Sequence, residues 1–95
     1  MSTQASGGRF ETAASLTHES AQAALDAGLS RIAAGATEVD CAPLTQFDSS
    51  ALAVLLAWQR AASARGAALG VVNLPSGLVS LARAYGVDTL LSFRH

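Results

Sequence analysis

The chain of 95 residues has one cysteine, Cys41, so it can hold neither an internal disulfide nor a multi-cysteine metal site. Cys41 lies in an apolar alternating run, where a buried, inert thiol is expected. Lysine is missing altogether, and the six arginines are scattered without a cluster. A nucleic-acid binder needs a basic stripe, so nucleic acid is not an expected partner. No stretch reaches the ~18 apolar residues of a membrane span, so direct membrane insertion is not expected either. The opening "MSTQASGGRF" lacks the apolar segment of a signal peptide, which points to a soluble, cytoplasmic protein.

Catalytic constellations are scarce too. There is no Walker A loop, no G-x-G-x-x-G and no H-E-x-x-H. A nucleophilic serine needs a base within hydrogen-bond reach, and the two histidines are His18 and His95. One opens the first expected helix and the other is the last residue, so neither has a reason in the sequence to meet a serine. Asp40 and Asp48 are the only carboxylates that invite pairing, and nothing else supports a dyad. No enzyme activity, metal or cofactor is expected.

What the chain does have is apolar residue in quantity, 51% hydrophobic, enough for one core in one domain. Residues 1–8 are small and polar and read as a flexible tail, leaving residues 9–95 as the domain. From Phe10 the pattern alternates, with Phe10, Thr12, Ala14 and Leu16 on one side and Arg9, Glu11 and Ala13 on the other, which predicts a first strand. Thr17 offers an N-cap for an alanine-rich helix over 18–34, with Leu25, Leu29 and Ile32 at helical spacing. Gly28 is an unfavourable residue inside it, and Gly35 a natural stop.

Residues 36–42 predict a second strand with Val39 and Cys41 on one face. The loop 43–47 leads to a second helix from about Ser50 to Arg65, closed by Gly66. Residues 67–74 are nearly all apolar and predict a central, covered strand. Pro75 opens a third helix with Asn73 as a possible cap, and Leu78, Leu81, Ala82 and Tyr85 as its buried face. Residues 87–93 predict a last short strand or helical turn. The order βαβαβα argues for an α/β layer fold, a small mixed β-sheet of about four strands with helices packed on it.

The stretch "TQFDSSALAVLLAW", residues 45–58, stands out. Asp48, Ser49 and Ser50 form a polar knot directly before an apolar run. At least one of Asp48 and Ser49 is expected to cap the helix, satisfying N–H groups that have no partner within it. A hydroxyl there also sits on the rim of an α/β sheet, where the helix dipole favours an anionic modification or an incoming partner group. The apolar arc behind the knot covers more than half the helix. Leu52, Leu55, Leu56 and Ala62 share one side, and Val54, Ala57, Trp58 and Ala61 the adjoining one. So wide an arc suggests that Ser49, Ser50, Val54 and Trp58 face a partner, with Trp58 as its anchor.

The segment "EVDCAPLTQFDSSALAVLLAWQRAASARGAALGVVNLPSGLVSLARAYGVDTLL" resembles the STAS domain, the fold of anti-sigma factor antagonists and of sulfate-transporter tails. The family pattern is a strand ending near an Asp, a loop, then Asp-Ser/Thr, a small residue and an apolar helix. Here these are Asp40, the loop 43–47, Asp48-Ser49-Ser50-Ala51 and the helix from Leu52. The resemblance covers residues 10–93. Within the family, the ending Leu-Ala-Arg-x-Tyr-Gly is most similar to the small STAS subunit of Mla phospholipid transporters. That implies a non-enzymatic accessory subunit, peripheral on the inner face of the inner membrane, that binds an ABC transporter ATPase subunit in maintaining outer-membrane lipid asymmetry. The alternative it implies is an anti-sigma antagonist switched by an anti-sigma kinase at Ser49. Antagonists usually carry Gly after the Ser-Ser pair; Ala51 in this chain would make a kinase loop's close approach less easy.

Overall fold

The computed structural model describes residues 8–90, 93 and 94; the expected tail over residues 1–7 lies outside the described residues, as do residues 91, 92 and 95. The elements are β1 (Arg9–Glu11), β2 (Ser15–Leu16), α1 (Ala21–Ala33), β3 (Glu38–Asp40), β4 (Gln46–Phe47), α2 (Ser49–Ala64), β5 (Gly70–Val72), α3 (Ser76–Ala84), a 3-10 turn at Asp88–Leu90, and β6 (Phe93–Arg94). The main sheet has the order β1-β3-β5-β6. The four-stranded α/β layer expected from the sequence is present; among the described residues every pair in it is parallel, where a mixed sheet was expected. Parallel neighbours follow from the helix inserted between each pair of strands, since a crossover returns the chain to the same end of the sheet.

Each strand is laid on the same side of the one before it. Right-handed crossovers then put α1, α2 and α3 on one face of the sheet. Phe10, Val39 and Val71 stand in one register row on that face and are all buried. Leu55, Trp58, Leu69 and Leu78 complete the centre of the core. The opposite face carries Arg9, Glu11, Glu38 and Gly70. There Arg9 Nε donates to Glu38 Oε1 at 2.6 Å, its direct neighbour in register. β5 is central, as expected, but among the described residues it is covered on one face only, and Val72 is half-buried.

The single first strand expected over 10–16 is two. Thr12 N–H still donates to Asp40 O at 3.1 Å, but Ala13 and Ala14 are both exposed. The reason lies in the neighbouring strand. A turn closed by Leu44 N–H on Cys41 O carries the chain away through Pro43, while Cys41 N–H turns to Val72 O. Ala14 O instead takes N–H groups from Thr45 and Gln46, and β2 pairs with β4 in a separate parallel ladder. The expected loop 43–47 therefore contains a strand.

The first helix starts later than expected. Thr17 N–H donates to Ser20 Oγ and Ser20 N–H to Thr17 O, each at 3.0 Å, so Thr17 opens a turn and Ser20 occupies the N-cap position of α1. α2 ends before Gly66, whose φ of 76° a residue with Cβ rarely adopts. Pro75, expected as the first residue of α3, stands one place earlier at the N-cap, where its lack of N–H costs nothing. Leu78 and Ala82 are buried and Leu81 packs on the core, but Tyr85, expected with them, is 62% exposed at the C-cap. The chain has already turned there towards Gly86, which moves the ring off the buried face.

Candidate partner-binding site at the start of the second helix

Asp48 is the N-cap of α2. Its backbone is extended (φ −137°, ψ −167°), and its Oδ1 accepts the Ser50 N–H at 2.8 Å. Its other oxygen, Oδ2, accepts the His18 N–H at 3.1 Å. One carboxylate thus closes the start of α2 and ties it to the turn before α1. These two N–H groups, that of His18 foremost, hold the Asp48 carboxyl below the usual carboxylate range. The sequence offers no sign that His18 comes here, because the contact spans thirty residues and uses only its backbone.

Ser49 is the first residue of α2 and is exposed. Its hydroxyl makes no hydrogen bond to the described residues, so the cap is Asp48 alone. Ser50 is half-buried and lines a groove between α1 and α2 of about 220 Å³, with Ala21, Gln22, Leu25, Ala53 and Val54. The knot therefore opens onto an apolar groove, beside the positive end of a helix dipole already partly met by Asp48.

The rest of the expected contact face is largely buried. Val54 is only 4% exposed and forms part of the groove's wall. Trp58 is 2% exposed, its Nε1–H donates to Leu25 O at 3.2 Å, and its ring meets Phe10 edge-on at 5.2 Å between centroids. The wide apolar arc of α2 is used up by α1 on one side and the sheet below. α2 is thus wedged between α1 and the sheet, and Trp58 anchors the core, not a partner. Ala51 is buried with no exposed surface, so it does not stand in the path of anything approaching Ser49.

Asp40 ends β3 in a separate cluster. Its Oδ1 accepts from Asn73 Nδ2 and from Ala42 N–H, both at 2.9 Å, and Arg9 Nη1 lies 3.5 Å from Oδ2. The Asn73 and Ala42 bonds, in that order, draw its carboxyl below the ordinary value. Asn73, expected as a helix cap, instead takes a left-handed backbone (φ 58°) that aims its amide back at Asp40. Asp40 and Asp48 share no partner, so they do not form a dyad. Cys41 is fully buried, and burial followed by the Asp40 charge pushes its thiol up to about 12. Among the described residues no three His, Cys, Asp or Glu side chains come together as a metal site, and no helix is long and apolar enough to cross a membrane.

The fold and this site define a small two-layer α/β domain that presents an Asp-Ser-Ser helix start at its surface, next to an apolar groove. The chain belongs to the STAS domain family: the family model described as "Mlab, STAS domain" matches residues 2–92. No curated protein and no solved structure matches it.

Proposed function

We propose that the protein is the accessory STAS subunit of an Mla-type phospholipid ABC transporter. In this reading it is non-enzymatic, sits at the inner face of the inner membrane through its complex, and binds the ATPase subunit with the start of α2. The observation that carries this is the free Ser49 hydroxyl beside the α1–α2 groove, in a chain whose matching family model is described as "Mlab". A surface of this kind suits a protein partner: a few polar groups at a helix end fix orientation, and the groove takes an apolar side chain. Val54 and Ser50 contribute to that groove, whereas Trp58 has no part in the contact.

The test is co-purification with the ATPase subunit by chains carrying Ser49→Ala or Ser49→Glu. Because the Ser49 hydroxyl bonds to none of the described residues, Ser49→Ala should leave stability within about 0.5 kcal/mol of the parent. Ser49→Glu should also stay folded, since a helix start accepts negative charge. An interface would have to desolvate that charge, so the Glu chain should lose its partner. Full binding by the Glu chain would sink the claim that Ser49 lies in the contact. If a cognate kinase phosphorylates Ser49 and the ATPase subunit never binds, the anti-sigma antagonist becomes the better reading.

A further inference from the structure

The two lips of the α1–α2 groove differ in charge. On the α2 side Ser50 and Ala53 are neutral. On the α1 side Gln22 Nε2 donates to Asp26 Oδ1 at 3.1 Å, an exposed pair one turn apart on the helix. The amide that lines the groove thereby holds a carboxylate beside it. Glu19 is exposed in the turn before α1, seven residues ahead of Asp26. Seven residues at helical spacing rise about 10 Å, so one acid brackets each end of this lip.

The arginines stand elsewhere, and the topology is the reason. The strands are parallel and each helix returns the chain, so all three helices start at one end of the sheet and finish towards the other. Arg31, Arg60 and Arg83 fall in the second halves of α1, α2 and α3, Arg65 follows α2, and Arg9 opens β1. All five therefore lie towards the far end. Arg94 is at the near end, but on β6, at the opposite edge of the sheet from β1. The groove lies among the helix starts, with acids on one lip and no arginine on either.

We propose that the groove receives a basic amphipathic helix of the partner. One leucine- or methionine-sized side chain enters the groove, and a Lys or Arg three or four residues to either side of it lies against Glu19 and Asp26. The inference rests on the groove as the contact proposed above, and adds the chemistry of what enters it. A groove between two helices suits a helix presenting an apolar face, and about 220 Å³ holds a side chain of that size. Basic residues one turn before and one turn after the apolar anchor span the same length as the two acids. An acidic segment would meet like charge at both ends of the lip. Glu19 and Asp26 stand on the rim, where charges stay hydrated, so they attract and orient the partner without being desolvated. The first seven residues of the chain, Met-Ser-Thr-Gln-Ala-Ser-Gly, carry no basic side chain and do not match this rim.

Two measurements test this, and the first needs no transporter protein. The isotope-labelled full chain is titrated with two synthetic amphipathic helices of identical leucine face, one flanked by lysines and the other by glutamates. The lysine peptide should shift the backbone amide signals of Gln22, Leu25 and Ala53, and the glutamate peptide should not. The second measurement is the association rate with the ATPase subunit. It should fall as salt is raised, because rim charges act through steering that salt screens. Glu19→Lys combined with Asp26→Lys should lower the rate by about tenfold at low salt, with an unchanged melting temperature. Glu19→Gln with Asp26→Asn, which keeps the acceptor for Gln22, should fall between that variant and the parent. Arg83→Glu, at the far end of α3, should leave the rate as it is. If the ATPase subunit does not bind while the lysine peptide shifts the groove, the assignment of the ATPase falls and the basic occupant stands. Equal shifts by both peptides, no shift by the lysine peptide, or a binding rate indifferent to salt and to the charge reversals overturns the proposal. So do shifts at these residues on concentrating the chain alone, which would make a second copy the occupant. A lysine peptide that binds only after residues 1–7 are removed overturns it too, because the groove then belongs to the chain's own first residues.

Discussion

Two carboxylates, Asp40 and Asp48, do the local tying in this domain, and both do it by accepting N–H groups from distant parts of the chain. Asp48 joins α2 to the turn before α1, and Asp40 joins the ends of β1, β3 and β5 through Arg9 and Asn73. Both carboxyls sit below the usual range when folded. A group whose folded pKa is depressed contributes stability that is fully present above its unfolded value, about 3.9, and is lost as pH falls through the folded value. The melting temperature should therefore be flat near neutrality and fall steeply below about pH 4. Asp48→Asn keeps an acceptor but removes the charge, so its acid fall should be shallower and its neutral melting temperature a few degrees lower. Thermal melts between neutral pH and pH 3 decide this; a variant curve parallel to the parent's would show that Asp48 carries none of the acid response.

At the scale of elements, α1 and α2 meet through one unusual contact. Gly28 lies inside α1, where glycine weakens a helix by about 1 kcal/mol relative to alanine. A Cβ built there would stand 2.1 Å from Cε2 of Trp58, so the indole lies directly on the α1 backbone. Trp58 is held on its other side by the ring of Phe10 and by its bond to Leu25 O. Moving the indole away from an added methyl would break both of these contacts. Gly28→Ala should accordingly destabilise the fold by about 1–3 kcal/mol, against its gain in helix propensity. Urea unfolding reads this directly, and a stabilised variant would mean that Trp58 can move. The same contact explains why a residue unfavourable to a helix stands in the middle of one.

For the whole molecule, all three helices sit on one face, and the α1–α2 groove meets the Asp48-Ser49-Ser50 helix start there. Ala53 is exposed at the groove's lip. Ala53→Arg should fill the groove at a cost of less than about 0.5 kcal/mol in stability, as surface changes usually do. If the groove takes a partner side chain, this variant should keep its melting temperature and fail to co-purify with the ATPase subunit. Undiminished co-purification would remove the groove from the contact and leave only the helix start.

Much of this was legible in the sequence for a simple reason: local periodicity and punctuation act over a few residues. The αβ alternation, the glycines after each helix, Val39 and Cys41 on one buried face, and a cap at the polar knot all follow from neighbours within a turn or two. The STAS resemblance rested on the same short-range pattern. The misplacements share the opposite origin. Phe10 to Leu16 alternates like one strand, but the break at Ala13 and Ala14 is set by a turn thirty residues on. Trp58 on a wide apolar arc has the same pattern whether it meets a partner or another helix, and only Gly28 arriving from α1 decides between them. Periodicity reports that a face is apolar; it carries no information about what covers it. Which residues lie on the sheet's edge, that His18 lends its N–H to Asp48, and that Ser49 stays free beside a groove are facts of long-range packing, decided by the tertiary structure alone.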